Sequence, residues 1–197
     1  ESGNIVATPP RPFEDINDTF PMPYHLIEDI EKYVISDWYS RRALSYMSSF
    51  GCPQHCLFCA ENAMSGGRWR ALAAERVVRE IKDLVEKYKL DGIQFYDSNF
   101  LAHEERVQRI CRGLLENNIR IRWGNANGSA RILLRYKPET WQLMKESGCA
   151  EILIGAESGD DEILAFLRKD VRADDYVKVK AIAARDYLLR YPAAQIV

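Results

Sequence analysis

The sequence lacks a long hydrophobic run, an excess of charge of either sign and the pattern of a secretory signal peptide. Its longest apolar runs, at residues 93–96 and 152–156, are far shorter than the roughly 20 residues of a spanning helix. Its 27 basic residues nearly balance its 29 acidic residues, so bulk electrostatics gives no attraction for a polyanion. We therefore expect a cytoplasmic chain with no membrane span and no nucleic-acid partner.

Cysteine is also scarce, and its distribution is uneven. There are five cysteines, and Cys52, Cys56 and Cys59 lie close together in the sequence. An odd, clustered set indicates metal binding in a reducing compartment better than a disulfide framework. Cys111 and Cys149 fall at an apolar helix position and a helix-to-strand junction, and we expect both to be buried core residues.

The N-terminal region is rich in proline, which fixes φ and removes a hydrogen-bond donor. Five of the eight prolines lie within the first 24 residues. We expect residues 1–40 to form a linker arm with a lead-in helix, and residues 41–197 to form one folded core. The length of the chain suits one such core.

Beyond the arm, short apolar segments alternate with amphipathic ones. Strands are predicted at residues 43–49, 92–96, 119–123 and 152–155. Helices are predicted at residues 75–88, 103–116, 138–146, 160–167 and 174–190. This alternation predicts an α/β fold with a parallel sheet and right-handed crossovers, either open or curved into a barrel.

Polar residues follow each of the four predicted strands. Because parallel strands end at a common edge, these residues should form one candidate site. The alternative is that loops are polar whatever their function. The residues concerned are Cys52, Asp97, Asn99, Asn125, Asn127, Glu157 and Ser158.

The three clustered cysteines have the spacing C-x3-C-x2-C. Soft thiolate donors select iron–sulfur clusters, zinc or copper(I). A closed structural site uses four protein ligands, whereas three leave one coordination position open. The alternatives are a zinc site with His55 or His103 as fourth ligand, and a redox-active pair formed by Cys56 and Cys59.

This spacing, with Phe58 directly before the last cysteine, resembles that of the radical S-adenosylmethionine (SAM) superfamily. The chain resembles an N-terminal part of that family's core, which implies a partial TIM-like (βα) barrel with outer helices and about four βα units. The resemblance implies an enzyme in which Cys52, Cys56 and Cys59 hold a catalytic 4Fe–4S cluster whose open iron binds SAM. An electron from an external flavodoxin- or ferredoxin-type donor would then cleave SAM to a 5′-deoxyadenosyl radical.

The resemblance also assigns residues to the cofactors. Asp97 and Asn99, in the turn after strand two, are expected near the methionyl end of SAM, although Asn99 could instead cap the next helix. Glu157 and Ser158, in a Gly-Ala-Glu-Ser-Gly stretch, are expected to contact the ammonium group or the ribose. Arg131 is expected to pair with a carboxylate in the pocket, and Phe58 to lie beside the cluster.

Residues 20–26 resemble the connector of radical SAM proteins that carry an upstream cobalamin-binding domain. Such proteins often methylate unactivated carbons or rearrange rings. The resemblance implies that the full-length parent uses cobalamin and acts on a small organic or lipid-like substrate. A methylthiotransferase and a non-catalytic, zinc-stabilised interaction module are the alternatives.

Overall fold

The computed structural model describes residues 3, 8–9, 11–19 and 21–186. Its strands are β1 (Ala43–Tyr46), β2 (Ser49–Phe50), β3 (Arg70–Ala71), β4 (Gly92–Phe95), β5 (Arg122–Gly124), β6 (Ala126–Asn127) and β7 (Ile152–Leu153). Its α-helices are α1 (Glu61–Ser65), α2 (Ala74–Tyr88), α3 (Glu104–Glu116), α4 (Ala130–Leu133), α5 (Pro138–Glu146), α6 (Asp161–Phe166) and α7 (Ala173–Ala181).

The central sheet is parallel, as the alternation of segments predicts. β4 lies between β1 and β5, with Gly92 opposite both Ala43 and Arg122. β6 pairs in parallel with β7, and a parallel bridge between Trp123 and Cys149 links β5 to the segment before β7. The described part of the chain thus forms a partial (βα) barrel, and the predicted fold class is confirmed.

The outer helices follow their predicted periodicity closely. On α2, Val77, Ile81 and Leu84 are buried, because residues three or four apart share one helix face. This helix ends at Lys89, whose left-handed φ of 53° terminates the hydrogen-bond ladder. α3 packs against α2 on one side and α5 on the other.

The first and third predicted strands differ most from the observed ones. The first ends at Tyr46, and β2 then pairs antiparallel with β3, so the segment carrying the cysteines leaves the main sheet earlier than expected. The third begins at Arg122 and is interrupted at Asn125, where φ is 53°. Ile119 and Ile121 gave the apolar signal because both are buried, although they lie before the strand.

Both ends of the chain also differ from expectation. Up to residue 40, the helical turns that the structure describes are 3-10 turns at Ile16–Asp18, Tyr24–Leu26 and Ile30–Tyr33, and an α-helical lead-in is not among them. The predicted helix at residues 174–190 is α7 followed by a π-helical turn at Ile182–Asp186. Its last residues lie outside the described part.

The arm packs against the core. Arg76 on α2 donates from Nη1 to the carbonyl oxygens of Ile16, at 3.1 Å, and Asn17, at 2.7 Å. The guanidinium of Arg70 lies 4.5 Å from the ring centroid of Phe13, within cation–π range. Among the helices of the described residues, none has the length and apolar character that crossing a bilayer requires.

Candidate functional site

The loop between β2 and α1 carries the three clustered cysteines. It starts at Gly51, whose φ is 84° and where a Cβ atom would lie 1.9 Å from the carbonyl oxygen of Arg68. Only glycine tolerates both that φ and that approach. Cys52 and Cys56 are partly buried and Cys59 is exposed.

A cavity of about 240 Å³ lies beside this loop, at the carboxyl ends of the parallel strands. The strand-end rule predicts such a convergence of polar residues. Asn127, at the end of β6, also lines the cavity. The predicted site residues that line it are Cys52, Cys56, Phe58, Cys59, Asn99 and Glu157.

Asn99 has an incomplete set of hydrogen bonds. Its Nδ2 donates to the sulfur of Cys52 at 3.5 Å, and its backbone oxygen accepts from Nε1 of Trp69 at 3.0 Å. Its Oδ1 is buried and has no hydrogen-bond partner among the described residues. A buried amide oxygen without a partner carries a desolvation cost, so this acceptor is available to a ligand in the cavity.

Glu157 and Lys169 form an ion pair at the cavity wall. Lys169 Nζ lies 3.3 Å from Glu157 Oε1, and the lysine side chain is only 14% exposed. A Cβ atom at residue 155 would lie 2.3 Å from the same oxygen. Gly155 is therefore required for the carboxylate to take this position.

The electrostatic surroundings of Cys56 are mixed. Burial raises the pKa of its thiol, and the nearby Cys52, Cys59 and Glu157 act in the same direction. The positive charge of Lys169 acts in the opposite direction and lowers the pKa. Lys169 and Cys56 line the same cavity.

Asp97 lies beneath the site rather than in it. It is 1% exposed and does not line the cavity. Its carboxylate accepts hydrogen bonds from the backbone and hydroxyl groups of Ser48 and from the hydroxyl of Ser49. Burial raises its pKa, whereas these hydrogen bonds and the charge of Arg106 lower it. The position expected near SAM is thus a buried support of the segment before the cysteines.

The other two expected contact residues also lie elsewhere. Ser158 Oγ accepts a hydrogen bond from the backbone N–H of Asp160 at 3.0 Å, next to the start of α6. Arg131 forms an ion pair with Asp170 outside the cavity. Both residue types can contact a ligand, but the Ser158 hydroxyl is used in a local hydrogen bond and the Arg131 guanidinium in an ion pair.

The histidines do not join the cysteines. His55 packs against Gly67, where a Cβ atom would lie 2.5 Å from its ring. His103 caps α3 by accepting from the N–H of Arg106 at 3.4 Å, and its ring is stacked 6.4 Å from that of Trp69. The zinc alternative with either histidine as fourth ligand is not supported by this geometry.

Cys111 and Cys149 are core residues, as expected. They are 1% and 2% exposed. Burial raises the pKa of Cys111 to about 12 and that of Cys149 well above its usual value. Both thiols therefore stay protonated and unreactive at neutral pH.

The chemistry of the three clustered thiols indicates the kind of metal group they fit. Within residues 3, 8–9, 11–19 and 21–186, no group of three or more His, Cys, Asp or Glu side chains is already placed to hold a metal ion. Three thiol side chains nevertheless line one cavity, and thiolates are the ligands of iron–sulfur clusters. This donor set therefore fits such a cluster.

Sequence reasoning did not identify Lys169. A lysine just after a helix usually interacts with the helix dipole, so its position carries no separate signal. Its place at the cavity depends on the left-handed backbone of Arg168 and Asp170, with φ of 56° and 50°. Asp tolerates that conformation and Arg168 follows the end of α6, but neither signal indicates that the side chain between them lies at the cavity.

Comparison with known proteins agrees with the geometry. Residues 46–186 match the model of the Radical SAM superfamily. The chain is 30% identical to an uncharacterised methyltransferase of Pyrococcus horikoshii, over 87% of this chain and 36% of that protein. It is 28% identical to cytidylyl-2-hydroxyethylphosphonate methyltransferase of Streptomyces wedmorensis, over 77% of this chain and 29% of that protein. It thus spans about a third of the length of these curated relatives.

Among solved structures, the chain resembles TsrM from Kitasatospora setae, a radical SAM methyltransferase with cobalamin and a 4Fe–4S cluster bound. The TM-score is 0.64 at 17% identity, over 75% of this chain and 29% of that one. This likeness shows the fold. Because the superfamily match covers more than half of the sequence, including the cysteine loop and the cavity, the chain belongs to the radical SAM superfamily.

Proposed function

We propose that this chain forms the part of a radical SAM methyltransferase that binds a 4Fe–4S cluster and SAM. Cys52, Cys56 and Cys59 hold the cluster, and the adjacent cavity receives SAM. The supporting observation is that the three thiols, the Asn99 amide and the Glu157 carboxylate line one cavity. The chemistry supplied by the bound cluster is one-electron reduction, which cleaves the sulfonium bond of SAM.

The cavity residues have separate roles in this proposal. Asn99 donates a hydrogen bond to the sulfur of Cys52 and so stabilises negative charge there, while its unpaired Oδ1 accepts from the ammonium group of SAM. Glu157 offers a carboxylate to the same ammonium group or to the ribose. Phe58 forms an apolar wall next to the last cysteine. Asp97 supports the loop from below, and neither Ser158 nor Arg131 contacts the cofactor.

For the full-length parent we propose cobalamin as a further cofactor and a small organic molecule as methyl acceptor. TsrM binds cobalamin, and the Streptomyces relative is named for methyl transfer to a nucleotide-linked phosphonate. An external flavodoxin- or ferredoxin-type protein donates the electron in this proposal, and the exposed Cys59 marks the side on which it approaches. The free thiols suit the reducing cytoplasm.

Anaerobic reconstitution with iron and sulfide tests the cluster assignment. We expect a brown protein with about four irons and four sulfides per chain, as the cluster type requires. Cys56→Ala should lose the colour because it removes one of the three ligands. The matched control is Cys111→Ala, which removes a cysteine outside the cavity and should still assemble the cluster. A colourless protein that holds one zinc ion would contradict the proposal.

A further inference from the structure

The cavity wall that contains Lys169 has an unusual backbone. In the described residues, six non-glycine residues have positive φ, and Glu157, Arg168 and Asp170 are three of them. Lys89 and Arg168 follow the ends of α2 and α6, where a left-handed residue is common, and Asn118, Asn125 and Asp170 are of types that tolerate this conformation. Glu157 has no such explanation, and backbone strain of this kind is concentrated at functional sites.

Specific contacts hold the segment after α6 in place. The carbonyl oxygen of Leu167 accepts from the N–H of Leu57 in the cysteine loop at 3.0 Å. Asp170 pairs with Arg131, and Lys169 pairs with Glu157. The segment is thus hydrogen-bonded to the cysteine loop itself, and Lys169 is its charged residue at the cavity.

The pair formed by Glu157 and Lys169 is partly withdrawn from solvent. The side chains are 33% and 14% exposed, and Nζ lies 5.9 Å from the ring centroid of Phe58. A lysine is rarely buried to this extent without a partner. Screening by water is reduced here, so the two charges act on nearby groups more strongly than surface charges do.

The two charges have opposite effects on the cysteine loop. Lys169 and Glu157 line the same cavity as the three cysteines, and Lys169 Nζ lies near Phe58, the residue before Cys59, so each charge acts on a group held there. The potential of an iron–sulfur cluster depends on its surrounding charge and hydrogen bonds. A positive charge stabilises the reduced, more negative state, and a negative charge destabilises it.

We propose that Lys169 and Glu157 form a charge pair that sets the reduction potential of the cluster held by Cys52, Cys56 and Cys59. Lys169 is a positioning residue in this pair: it holds the Glu157 carboxylate at the cavity wall and raises the potential, whereas Glu157 lowers it. This inference rests on the proposed function, because it requires a cluster at the three cysteines.

A redox titration followed by electron paramagnetic resonance tests the charge pair. Lys169→Met should shift the reduction equilibrium towards the oxidised cluster by roughly tenfold, which is about 59 mV for one electron. Glu157→Gln should shift it in the opposite direction. Lys169→Arg keeps the charge, so its reduction equilibrium should remain within about threefold of that of the wild type. Lys178→Met is a control on α7, where the lysine is 55% exposed, and its reduction equilibrium should also remain within about threefold.

Opposite shifts in the two variants separate a charge effect from general damage to the fold. If Lys169→Met and Glu157→Gln shift the equilibrium in the same direction, or leave it unchanged, the charge pair is overturned while the cluster assignment stands. If the wild type assembles no cluster, the proposed function fails and the inference fails with it.

The apo protein offers a second test that needs no cluster. Arg168→Gly should raise the melting temperature because glycine adopts positive φ without strain, and it should leave the potential of the loaded protein unchanged. A lower melting temperature would contradict the left-handed conformation of Arg168, which places Lys169 next to Glu157.

Discussion

Replacing Asp97 with asparagine tests whether this residue supports the cysteine loop or binds the cofactor. The carboxylate is buried and accepts two hydrogen bonds from Ser48 and one from Ser49. Asparagine keeps the shape but removes the charge, and its NH₂ group faces a backbone donor. It also removes a negative charge that stabilises the charged form of the buried Arg106.

The magnitude follows from these contacts. Hydrogen bonds to charged groups contribute about 1.5–3 kcal/mol each, against about 0.5–1.5 kcal/mol for neutral ones. Because the raised pKa of Asp97 shows that burial opposes the charge, the loss comes mainly from the buried Ser48 N–H that the NH₂ group leaves unsatisfied, about 1–3 kcal/mol. For a chain of this size that corresponds to a decrease in melting temperature of roughly 2–12 °C.

Urea unfolding of the apo protein, followed by circular dichroism, measures this loss. Ser98→Ala is the control, because its hydroxyl donates to Glu61 at 2.5 Å in an exposed contact, and it should cost less than about 1 kcal/mol. An Asp97→Asn protein that unfolds like the wild type but no longer binds SAM would refute the structural role.

The remaining predictions concern pH, the cavity and the arm. The pKa of Asp97 is raised in the folded state, so the folded state binds this proton more tightly than the unfolded state does. The free energy of unfolding of the wild type, relative to that of Asp97→Asn, should therefore increase as pH falls through the raised pKa towards 3.8. A decrease in paired urea titrations would contradict this prediction. Gly155→Ala should displace Glu157 and weaken SAM binding by about tenfold in calorimetry, whereas Gly159→Ala, where a Cβ atom meets nothing within 4 Å, should not. Arg76→Ala should detach residues 13–19 and speed their proteolysis, and unchanged cleavage would contradict the docked arm.

Much of the fold could be predicted from the sequence because its periodic signals are strong. The apolar positions of α2 and the proline that begins α5 determine those helices nearly to the residue. The third strand was misplaced because Ile119 and Ile121 are buried without belonging to a strand. Burial alone produces the apolar pattern, so the sequence does not show whether a buried segment also pairs as a strand.

The site was predictable in its location but not in all its contacts. The strand-end rule brings Asn99 and Glu157 to the cavity. It does not determine whether Asp97 faces the cavity or the core, because β4 is buried on both faces and shows no alternation. Lys169 reaches the cavity through the left-handed turn after α6, and the residue types do not indicate the direction in which that turn places its side chain.

The most direct test of the account is the electron paramagnetic resonance spectrum of the reduced, reconstituted protein, recorded with and without SAM. Three protein ligands leave one iron open, so we expect the spectrum to change when SAM is added, and the change to be absent in a Cys56→Ala sample. A cluster spectrum that stays the same on addition of SAM would mean that a fourth protein ligand completes the site, which contradicts the central claim.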